Sequence, residues 1–445
     1  MGKYFGTDGF RGEANVTLTV EHAYKIGRFL GAYYNKKGTK SKIVIGKDTR
    51  LSSYMLEYAL AAGICASGAD AYLLHVTTTP SVAFVAKSED FDAGIMISAS
   101  HNPYTDNGIK LINSDGEKMS DGLTDKIEEY LDGKGEIPLA KGENIGRTVD
   151  YAQGRNRYTG YVIGCARHSY KNIKIGIDSA NGSTWMLAKS IFDALGAKTF
   201  VIGNTPNGTN INRDCGSTHI EALSRLVKDN SLDIGFAFDG DADRCLAVDE
   251  CGNVINGEDI LFFAAKYMKS HGDLHNGTVV TTVMSNLGLV KSLENEGIKC
   301  ILTDVGDRFV WEKMREGGYS LGGEESGHII FSKYSTTGDG LITAIKIMEI
   351  LIESKGKASA LAKDLIRYPH LTKSIRVPDK DAAINAPSVV KARSECEKTL
   401  HGEGRILLRK SGTEPVVRIM VEHPSESTCR EIVDSLSTAI LSATS

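Results

Sequence analysis

The 445-residue chain is predicted to be an α/β protein: three related βαβ-type domains with mixed sheets, followed by a smaller C-terminal α+β domain. Apolar strand-like runs alternate with helix-like segments, as in a largely parallel sheet flanked by helices. This alternation starts three times, at Ile43, Lys174 and Thr278. The last stretch of about 75 residues breaks the pattern, which indicates a domain of another design.

The elements follow this order along the chain. The first unit combines strands at 43–46, 71–76 and 94–97 with a helix at 53–67. The second opens at 174–178 and ends at 234–238, and the third has strands at 278–283 and 300–303. Small or polar residues follow each opening strand, at 47–49, 179–182 and 284–286. The C-terminal part has strands at 406–409 and 417–421 and a helix at 425–443.

Three breaks in composition predict the domain boundaries. They are the Gly/Lys/Glu-rich segment 132–147, the turn 250–253 and the Tyr368-Pro369 pair. The predicted domains are 1–150, 151–252, 253–368 and 369–445.

Composition excludes several classes of partner. A net charge of −4 provides no basic face for nucleic acid. Neither an export signal nor an apolar run of about 20 residues occurs, so no membrane contact is expected. The eight cysteines are scattered without a C-x-x-C pair, which is typical of reduced thiols and predicts a cytoplasmic protein.

A polar loop follows the apolar run 94–97 and presents Ser98, Ser100 and His101. Either serine could serve as a nucleophile. The adjacent histidine suggests a hydrolase, but the G-x-S-x-G elbow of such enzymes is missing. The structural alternative is a strand-end loop with capping serines, and the residues alone leave it open.

Asp239, Asp241 and Asp243 alternate between two apolar strand-like runs, and such hard oxygen ligands suit Mg²⁺ or Ca²⁺. An EF-hand is excluded because Arg244 stands where that loop requires glycine. A solvated acidic turn is the remaining alternative. A phosphorylated serine beside three carboxylates would be repelled by about 4 kcal/mol per charge pair at about 4 Å, so metal and phosphoserine explain each other.

Two further loops suit a sugar phosphate. The loop 323–328 places Glu324, Ser326 and His328 between glycines, which fits the reading of vicinal sugar hydroxyls, with a helix N-terminus as the alternative. The loop 409–415 with Arg418 offers cations, hydroxyls and amides for a phosphate, with a surface hairpin turn as the alternative. No P-loop or dinucleotide motif occurs.

With these four loops in order, the chain resembles the α-D-phosphohexomutase superfamily over its whole length. The segments 4–12, 210–219 and 305–308 strengthen the resemblance. It implies a heart-shaped, four-domain isomerase around a central cleft. The implied reaction interconverts glucosamine 6-phosphate and glucosamine 1-phosphate through a 1,6-bisphosphate, on the route to UDP-N-acetylglucosamine and peptidoglycan.

The resemblance also implies residue roles. Ser100 would be the phosphoserine and would bind one Mg²⁺ together with Asp239, Asp241 and Asp243. Glu324 and Ser326 would read sugar hydroxyls. The non-reacting phosphate would be held by Arg409, Ser411, Gly412, Thr413 and Arg418. The reacting phosphoryl group would be lined by Arg11, His101, Lys110, Arg244 and His328, with Lys110 as the candidate general acid or base.

Phe10 and Lys410 depart from the residues common in such sequences, and these departures affect only local loop shape. A member of the superfamily that acts on glucose or mannose phosphates remains an alternative, as do a metal-dependent phosphatase and a non-catalytic sugar-phosphate sensor. Glucosamine or glucose 1,6-bisphosphate is the expected activator of Ser100. The sequence leaves the oligomeric state open, a homodimer included.

Overall fold

The computed structural model describes residues 2–35, 40–410 and 415–444. The chain forms two compact units. The first runs to Val283 and also includes Ile298–Lys363, and the second combines Met284–Gly297 with the chain from Asp364 onward. None of the described helices is long and apolar enough to cross a membrane.

The first unit begins with a seven-stranded mixed sheet in the order β1-β2-β6-β5-β3-β4-β7. Its strands are β1 (Phe5–Gly6), β2 (Gly9–Glu13), β3 (Lys42–Lys47), β4 (Asp70–Val76), β5 (Ala93–Ile97), β6 (Asp106–Asn113) and β7 (Thr148–Asp150). Its helices are α1 (Val20–Tyr34), α2 (Leu51–Ala66), α3 (Thr79–Ser88) and α4 (Asp121–Leu131).

Helices α1 and α2 pack very closely, because glycines replace side chains at their contact. A Cβ atom on Gly63 would lie 2.2 Å from the carbonyl oxygen of Tyr24, and one on Gly27 would lie 2.3 Å from that of Leu60. Their apolar faces join the sheet in one buried core. The close packing leaves the opposite face of α2 exposed.

A second sheet follows in the order β12-β11-β10-β8-β9. Its strands are β8 (Lys174–Asp178), β9 (Lys198–Ile202), β10 (Ile234–Phe238), β11 (Cys245–Asp249) and β12 (Val254–Ile255). The helices of this part are α5 (Ala152–Gly164), α6 (Leu187–Ala194) and α7 (Glu221–Asp229).

The third sheet has the order β14-β13-β15-β16. Its strands are β13 (Thr278–Thr282), β14 (Lys299–Thr303), β15 (Leu321–Gly323) and β16 (Ile329–Phe331). The helices in this stretch of chain are α8 (Gly257–Ser270), α9 (Leu287–Asn295), α10 (Asp307–Gly317) and α11 (Gly340–Ser354), of which α9 belongs to the second unit.

The three sheets share one arrangement of four strands. In each, the opening strand lies between two parallel neighbours, and one of these neighbours connects directly to an antiparallel strand. The connections are the β5–β6, β10–β11 and β15–β16 loops, and they carry Ser100, the aspartate triad and Glu324. The predicted relationship of the three α/β domains is therefore visible in the topology. The segment 323–328 links two antiparallel strands, so the helix N-terminus alternative is wrong.

The second unit contains a three-stranded antiparallel sheet in the order β17-β19-β18. Helices α13 and α14 pack with this sheet around a core that includes Val417, Ile419 and Leu436. Its further elements are β17 (His370–Arg376), α12 (Lys380–Asn385), α13 (Pro387–Thr399), β18 (Arg405–Lys410), β19 (Val416–Glu422) and α14 (Glu426–Thr444).

Candidate active site

The β5–β6 loop holds its two serines in different ways. Ser98 Oγ accepts a hydrogen bond from the Ser100 amide at 2.9 Å, so it stabilises the loop. Ser100 Oγ instead donates to Asp239 Oδ2 at 2.5 Å and lies 3.2 Å from Nδ1 of His101. The geometry therefore directs the Ser100 hydroxyl, and not that of Ser98, towards the acidic cluster.

The backbone of Ser100 is strained, with φ at 51°, in the left-handed region that L residues rarely adopt. Its carbonyl oxygen accepts hydrogen bonds from Arg50 Nη2 at 3.1 Å and from Asn212 Nδ2 at 2.9 Å. Arg50 is fully buried and ion-paired with Asp48. These contacts from two neighbouring loops hold the strained backbone of the candidate nucleophile, Ser100.

The β10–β11 loop gathers Asp239, Asp241 and Asp243, each with a ligand atom within 4.8 Å of the other two. All three residues are buried. Burial and the charges of Asp243 and Asp241 raise the pKa of Asp239 well above its usual range. Within the described residues, Oδ1 of Asp241 and Oδ1 of Asp243 have no hydrogen-bond partner. Buried, unpaired carboxylate oxygens are costly unless a cation neutralises them, so the donor set fits a divalent metal ion.

Lys110 on β6 supplies a positive charge beside the triad. Its Nζ lies 2.8 Å from Asp241, 3.1 Å from Asp243 and 3.2 Å from Asp8. Although burial opposes the charge, these three carboxylates raise the pKa of Lys110 well above its usual value. Lys110 therefore carries a proton at neutral pH.

The charged network continues away from the triad. Lys118 Nζ lies 2.7 Å from Asp8 and 2.6 Å from Asp307 at the start of α10. Burial opposes ionisation of Asp8, but Lys110, Lys118 and Arg11 hold its pKa well below the usual value. A cavity of about 490 Å³ adjoins this network and is lined by Lys110, Lys118 and Arg308, among others.

Three more predicted residues surround Ser100. Arg11 pairs with Asp8, and Arg244 follows the triad, where its pKa is raised by Asp243 and Asp239 against the effect of burial. The buried Nε atoms of Arg11 and Arg244 have no hydrogen-bond acceptor in the described chain, which suits an incoming anion. Burial, followed by the charges of Arg244 and Arg11, lowers the pKa of His101 to about 4, so this imidazole is neutral at pH 7.

His328 and the β15–β16 loop complete the group in the first unit. His328 is buried, and its Nε2 accepts a hydrogen bond from the Gly338 amide at 2.9 Å. Although burial favours the neutral ring, the Asp243 and Asp307 carboxylates raise the pKa of His328 above its usual value. Burial also raises the pKa of Glu324. The buried Oγ of Ser326 has no partner in the described residues, as expected of a hydroxyl that contacts a ligand.

The predicted phosphate-binding residues lie in the second unit. Arg409 and Arg418 are direct cross-strand neighbours on β18 and β19. Their side chains therefore lie next to each other on one face of the two strands. The predicted residues Ser411, Gly412 and Thr413 lie outside the described residues.

Several residues of the site were not predicted from sequence. Asp8, Asn212 and Asp307 lie inside the segments 4–12, 210–219 and 305–308, which resemble the superfamily. These motifs could have indicated the three residues. Thr79, which contacts Asp241, lies in the run Thr77-Thr78-Thr79-Pro80, which indicates only a helix start, and Lys118 stands among ordinary residues. No sequence pattern marks these two, because their partners lie far away in the chain.

Comparison with known proteins defines the class. Four models of the phosphoglucomutase/phosphomannomutase family match in chain order: α/β/α domain I over residues 2–137, domain II over 156–252, domain III over 256–368 and the C-terminal domain over 373–439. The chain belongs to this family. The predicted fold class, three α/β domains and a smaller C-terminal domain, is thereby confirmed, whereas the boundaries at 150, 252 and 368 stay predictions.

Two phosphoglucosamine mutases are similar to nearly the whole chain. The chain is 61% identical over 439 residues to the phosphoglucosamine mutase of Lachnospira eligens, covering 98% of both chains. It is 48% identical over 430 residues to the phosphoglucosamine mutase of Bacillus cereus, covering 96% of both.

Solved structures agree in fold. A phosphoglucomutase/phosphomannomutase family protein from Burkholderia thailandensis superimposes with a TM-score of 0.82 at 26% identity, covering 100% of this chain and 98% of that one. The N-acetylphosphoglucosamine mutase of Aspergillus fumigatus, solved with GlcNAc-6P and magnesium, has a TM-score of 0.69 at 17% identity, with coverages of 99% and 96%. At that identity the likeness shows the fold alone.

Proposed function

We propose that the protein is a phosphoglucosamine mutase, an isomerase that interconverts glucosamine 6-phosphate and glucosamine 1-phosphate. The proposal is supported by relatives of this name that match nearly the whole chain. The observation that carries the chemistry is the Ser100 hydroxyl, held 2.5 Å from Asp239 inside the acidic triad. A phosphoserine mechanism requires a serine hydroxyl beside a cation-binding site, because a cation must neutralise the charge of the phosphoryl group.

The reaction proceeds in two phosphoryl transfers. In the first, the bond between phosphorus and Ser100 Oγ breaks, and a bond forms to O1 of glucosamine 6-phosphate, giving glucosamine 1,6-bisphosphate. Arg11 and Arg244 stabilise the charge of the transferring group with their available Nε donors. Lys110, which carries a proton at neutral pH, is the proposed general acid that protonates Ser100 Oγ as it leaves, and the proton released by the O1 hydroxyl returns to Lys110.

In the second transfer the bisphosphate has turned, and its other phosphoryl group returns to Ser100. The Ser100 hydroxyl must then lose its proton. Neutral His101 suits this role, because Nδ1 lies 3.2 Å from Oγ and a pKa of about 4 leaves the ring unprotonated. Lys110 protonates the sugar oxygen that leaves, and the proton from His101 returns to Lys110 through solvent. The two transfers restore the phosphoserine, so no net phosphate is consumed.

We infer that the triad and phosphorylated Ser100 hold one Mg²⁺ per chain. The unpaired oxygens of Asp241 and Asp243 support this assignment. When bound, the ion neutralises the phosphoryl oxygens during transfer. Glucosamine or glucose 1,6-bisphosphate is the proposed activator, because an unmodified Ser100 needs a phosphoryl donor before the first turnover.

Substrate recognition is assigned to two loops. Glu324 and Ser326 read the sugar hydroxyls, a role supported by the unpaired Ser326 Oγ. The non-reacting phosphate is assigned to Arg409, Ser411, Gly412, Thr413 and Arg418. The cross-strand Arg409–Arg418 pair supports this, because two guanidinium groups side by side can donate hydrogen bonds to the same phosphate.

Kinetics and mass spectrometry test the function. The purified protein should carry one phosphoryl group on the peptide that contains Ser98 and Ser100, and it should have its highest kcat/KM on glucosamine phosphates. Higher efficiency on glucose or mannose phosphates would identify the alternative mutase. Release of inorganic phosphate would identify a phosphatase, and binding without turnover would identify a sensor.

We also infer a cytoplasmic homodimer. All eight cysteines lie within the described residues and none is paired, which suits a reducing compartment. The exposed face of α2 carries Leu51, Tyr54 and Tyr58, at 65%, 44% and 66% exposure. The only charged residue of this helix, Glu57, is buried. An uncharged apolar helix face suits the self-complementary contact of two identical chains.

A further inference from the structure

Thr79 makes two contacts with the loop that carries the aspartate triad. It is the first residue of α3, and it is buried. Its hydroxyl donates to Oδ2 of Asp241, and its backbone amide donates to the Asp241 carbonyl oxygen at 3.0 Å. One residue from the first domain thus holds both the backbone and the side chain of a proposed metal ligand in the second.

These contacts distinguish the two carboxylate oxygens of Asp241. Oδ2 accepts from both Thr79 and Lys110, the latter at 2.8 Å. Oδ1 has no hydrogen-bond partner among the described residues. Two donors on Oδ2 restrict rotation of the carboxylate, so Oδ1 remains free to coordinate an ion.

The two donors on Oδ2 differ in charge. Lys110 is an ammonium group, and its charge competes with a bound cation for the same carboxylate. The Thr79 hydroxyl is neutral, so it orients Asp241 without that electrostatic cost.

We propose that Thr79 is a positioning residue for the divalent cation: it fixes Asp241 so that Oδ1 is presented to the ion. The inference rests on the proposed metal site. Partners of this kind, which orient a metal ligand through its second oxygen, typically contribute 10- to 100-fold in affinity, and we expect an effect of about 10-fold or more here.

Three variants test the role of the hydroxyl. Thr79→Val has nearly the same shape and removes only the hydroxyl, whereas Thr79→Ser retains it. Thr77→Val is the matched control, because Thr77 is fully buried in the same segment and its hydroxyl has no partner in the described residues. Mn²⁺ binding to each full-length protein, without phosphosugar, is measured by electron paramagnetic resonance.

We expect Thr79→Val to raise the Kd for Mn²⁺ about 10-fold or more, while Thr79→Ser and Thr77→Val stay within about 3-fold of wild type. Saturating Mg²⁺ should restore most of kcat in Thr79→Val, with KM for the phosphosugar unchanged. A general disturbance of the fold would instead alter KM and would not be repaired by metal. If Thr79→Val fails to fold, Thr79→Ala is measured in its place.

Two results would overturn the inference. Equal Mn²⁺ affinity in Thr79→Val and Thr77→Val would show that the hydroxyl does not position the ligand. If the wild type bound no Mn²⁺, the metal site itself would be wrong. An Asp241→Asn variant shows whether the measured Mn²⁺ is bound at the triad, because binding at that site should be lost in this variant.

Discussion

At the scale of single residues, the hydroxyl groups of Ser98 and Ser100 have different hydrogen-bond partners. Ser98 Oγ is occupied by the Ser100 amide, whereas Ser100 Oγ reaches the triad. We expect Ser100→Ala to abolish mutase turnover without unfolding the protein, because it removes only the phosphoryl carrier. Ser98→Ala should lose the hydrogen bonds from the Ser100 amide and from Arg50 Nη1, about 1 kcal/mol each, and retain substantial activity.

Steady-state kinetics, together with circular dichroism as the control for folding, measures this pair. The reverse result, with an inactive Ser98→Ala and an active Ser100→Ala, would assign the nucleophile to the other serine.

At the scale of single elements, helix α11 begins at a titratable cap. Asp339 accepts a hydrogen bond from the Ile342 amide at 3.0 Å and one from the Tyr158 hydroxyl at 2.9 Å. Burial raises its pKa to about 6. The folded protein therefore binds a proton more tightly than the unfolded chain, so this stabilising contribution is complete below about pH 4 and is lost as the pH rises through about 6.

Asp339→Asn should remove that contribution while its side-chain oxygen still caps the helix. The thermal midpoint of wild type should fall more between pH 4.5 and pH 6.5 than that of the variant, by an amount equivalent to at most about 3 kcal/mol. Parallel curves for the two proteins would show that Asp339 does not titrate in this range.

The β18–β19 hairpin is the element proposed to hold phosphate. Arg418→Ala should raise KM by about 10-fold or more and increase escape of glucosamine 1,6-bisphosphate, because charge-assisted contacts hold substrate and intermediate alike. A coupled assay for the released bisphosphate measures the leak. Lys373→Ala, a change to an exposed cation on neighbouring β17, is the control. Unchanged KM and retention in Arg418→Ala would support a surface hairpin turn.

Individual elements also show what sequence could predict. The predicted runs 174–178 and 234–238 coincide with β8 and β10, because apolar runs between polar loops leave few alternatives. The very short strands β1 and β12 were missed, since two residues carry no periodicity. The contacts of Thr79 and Lys118 were equally inaccessible, because they depend on tertiary packing.

At the scale of the whole molecule, the uncharged face of α2 predicts the oligomeric state. Tyr58→Glu should shift the protein from dimer to monomer, because a symmetric contact would bury the new carboxylate twice. Sedimentation velocity measures the change. Tyr33→Glu, at a similarly exposed tyrosine on α1, should leave the dimer intact. A dimer that persists in Tyr58→Glu would place the contact elsewhere, and a monomeric wild type would refute the dimer.

The shared strand order of the three sheets has a consequence for how such a protein can diversify. The proposed nucleophile, the proposed metal ligands and the residues proposed to bind the sugar each occupy the same connection in a separate copy of one scaffold. If these roles hold, a substitution in the third copy can alter which sugar is accepted without altering the residues of the first two copies that transfer the phosphoryl group. Such a protein can thus keep its phosphoryl-transfer residues while the accepted sugar changes, through substitutions in a single short loop.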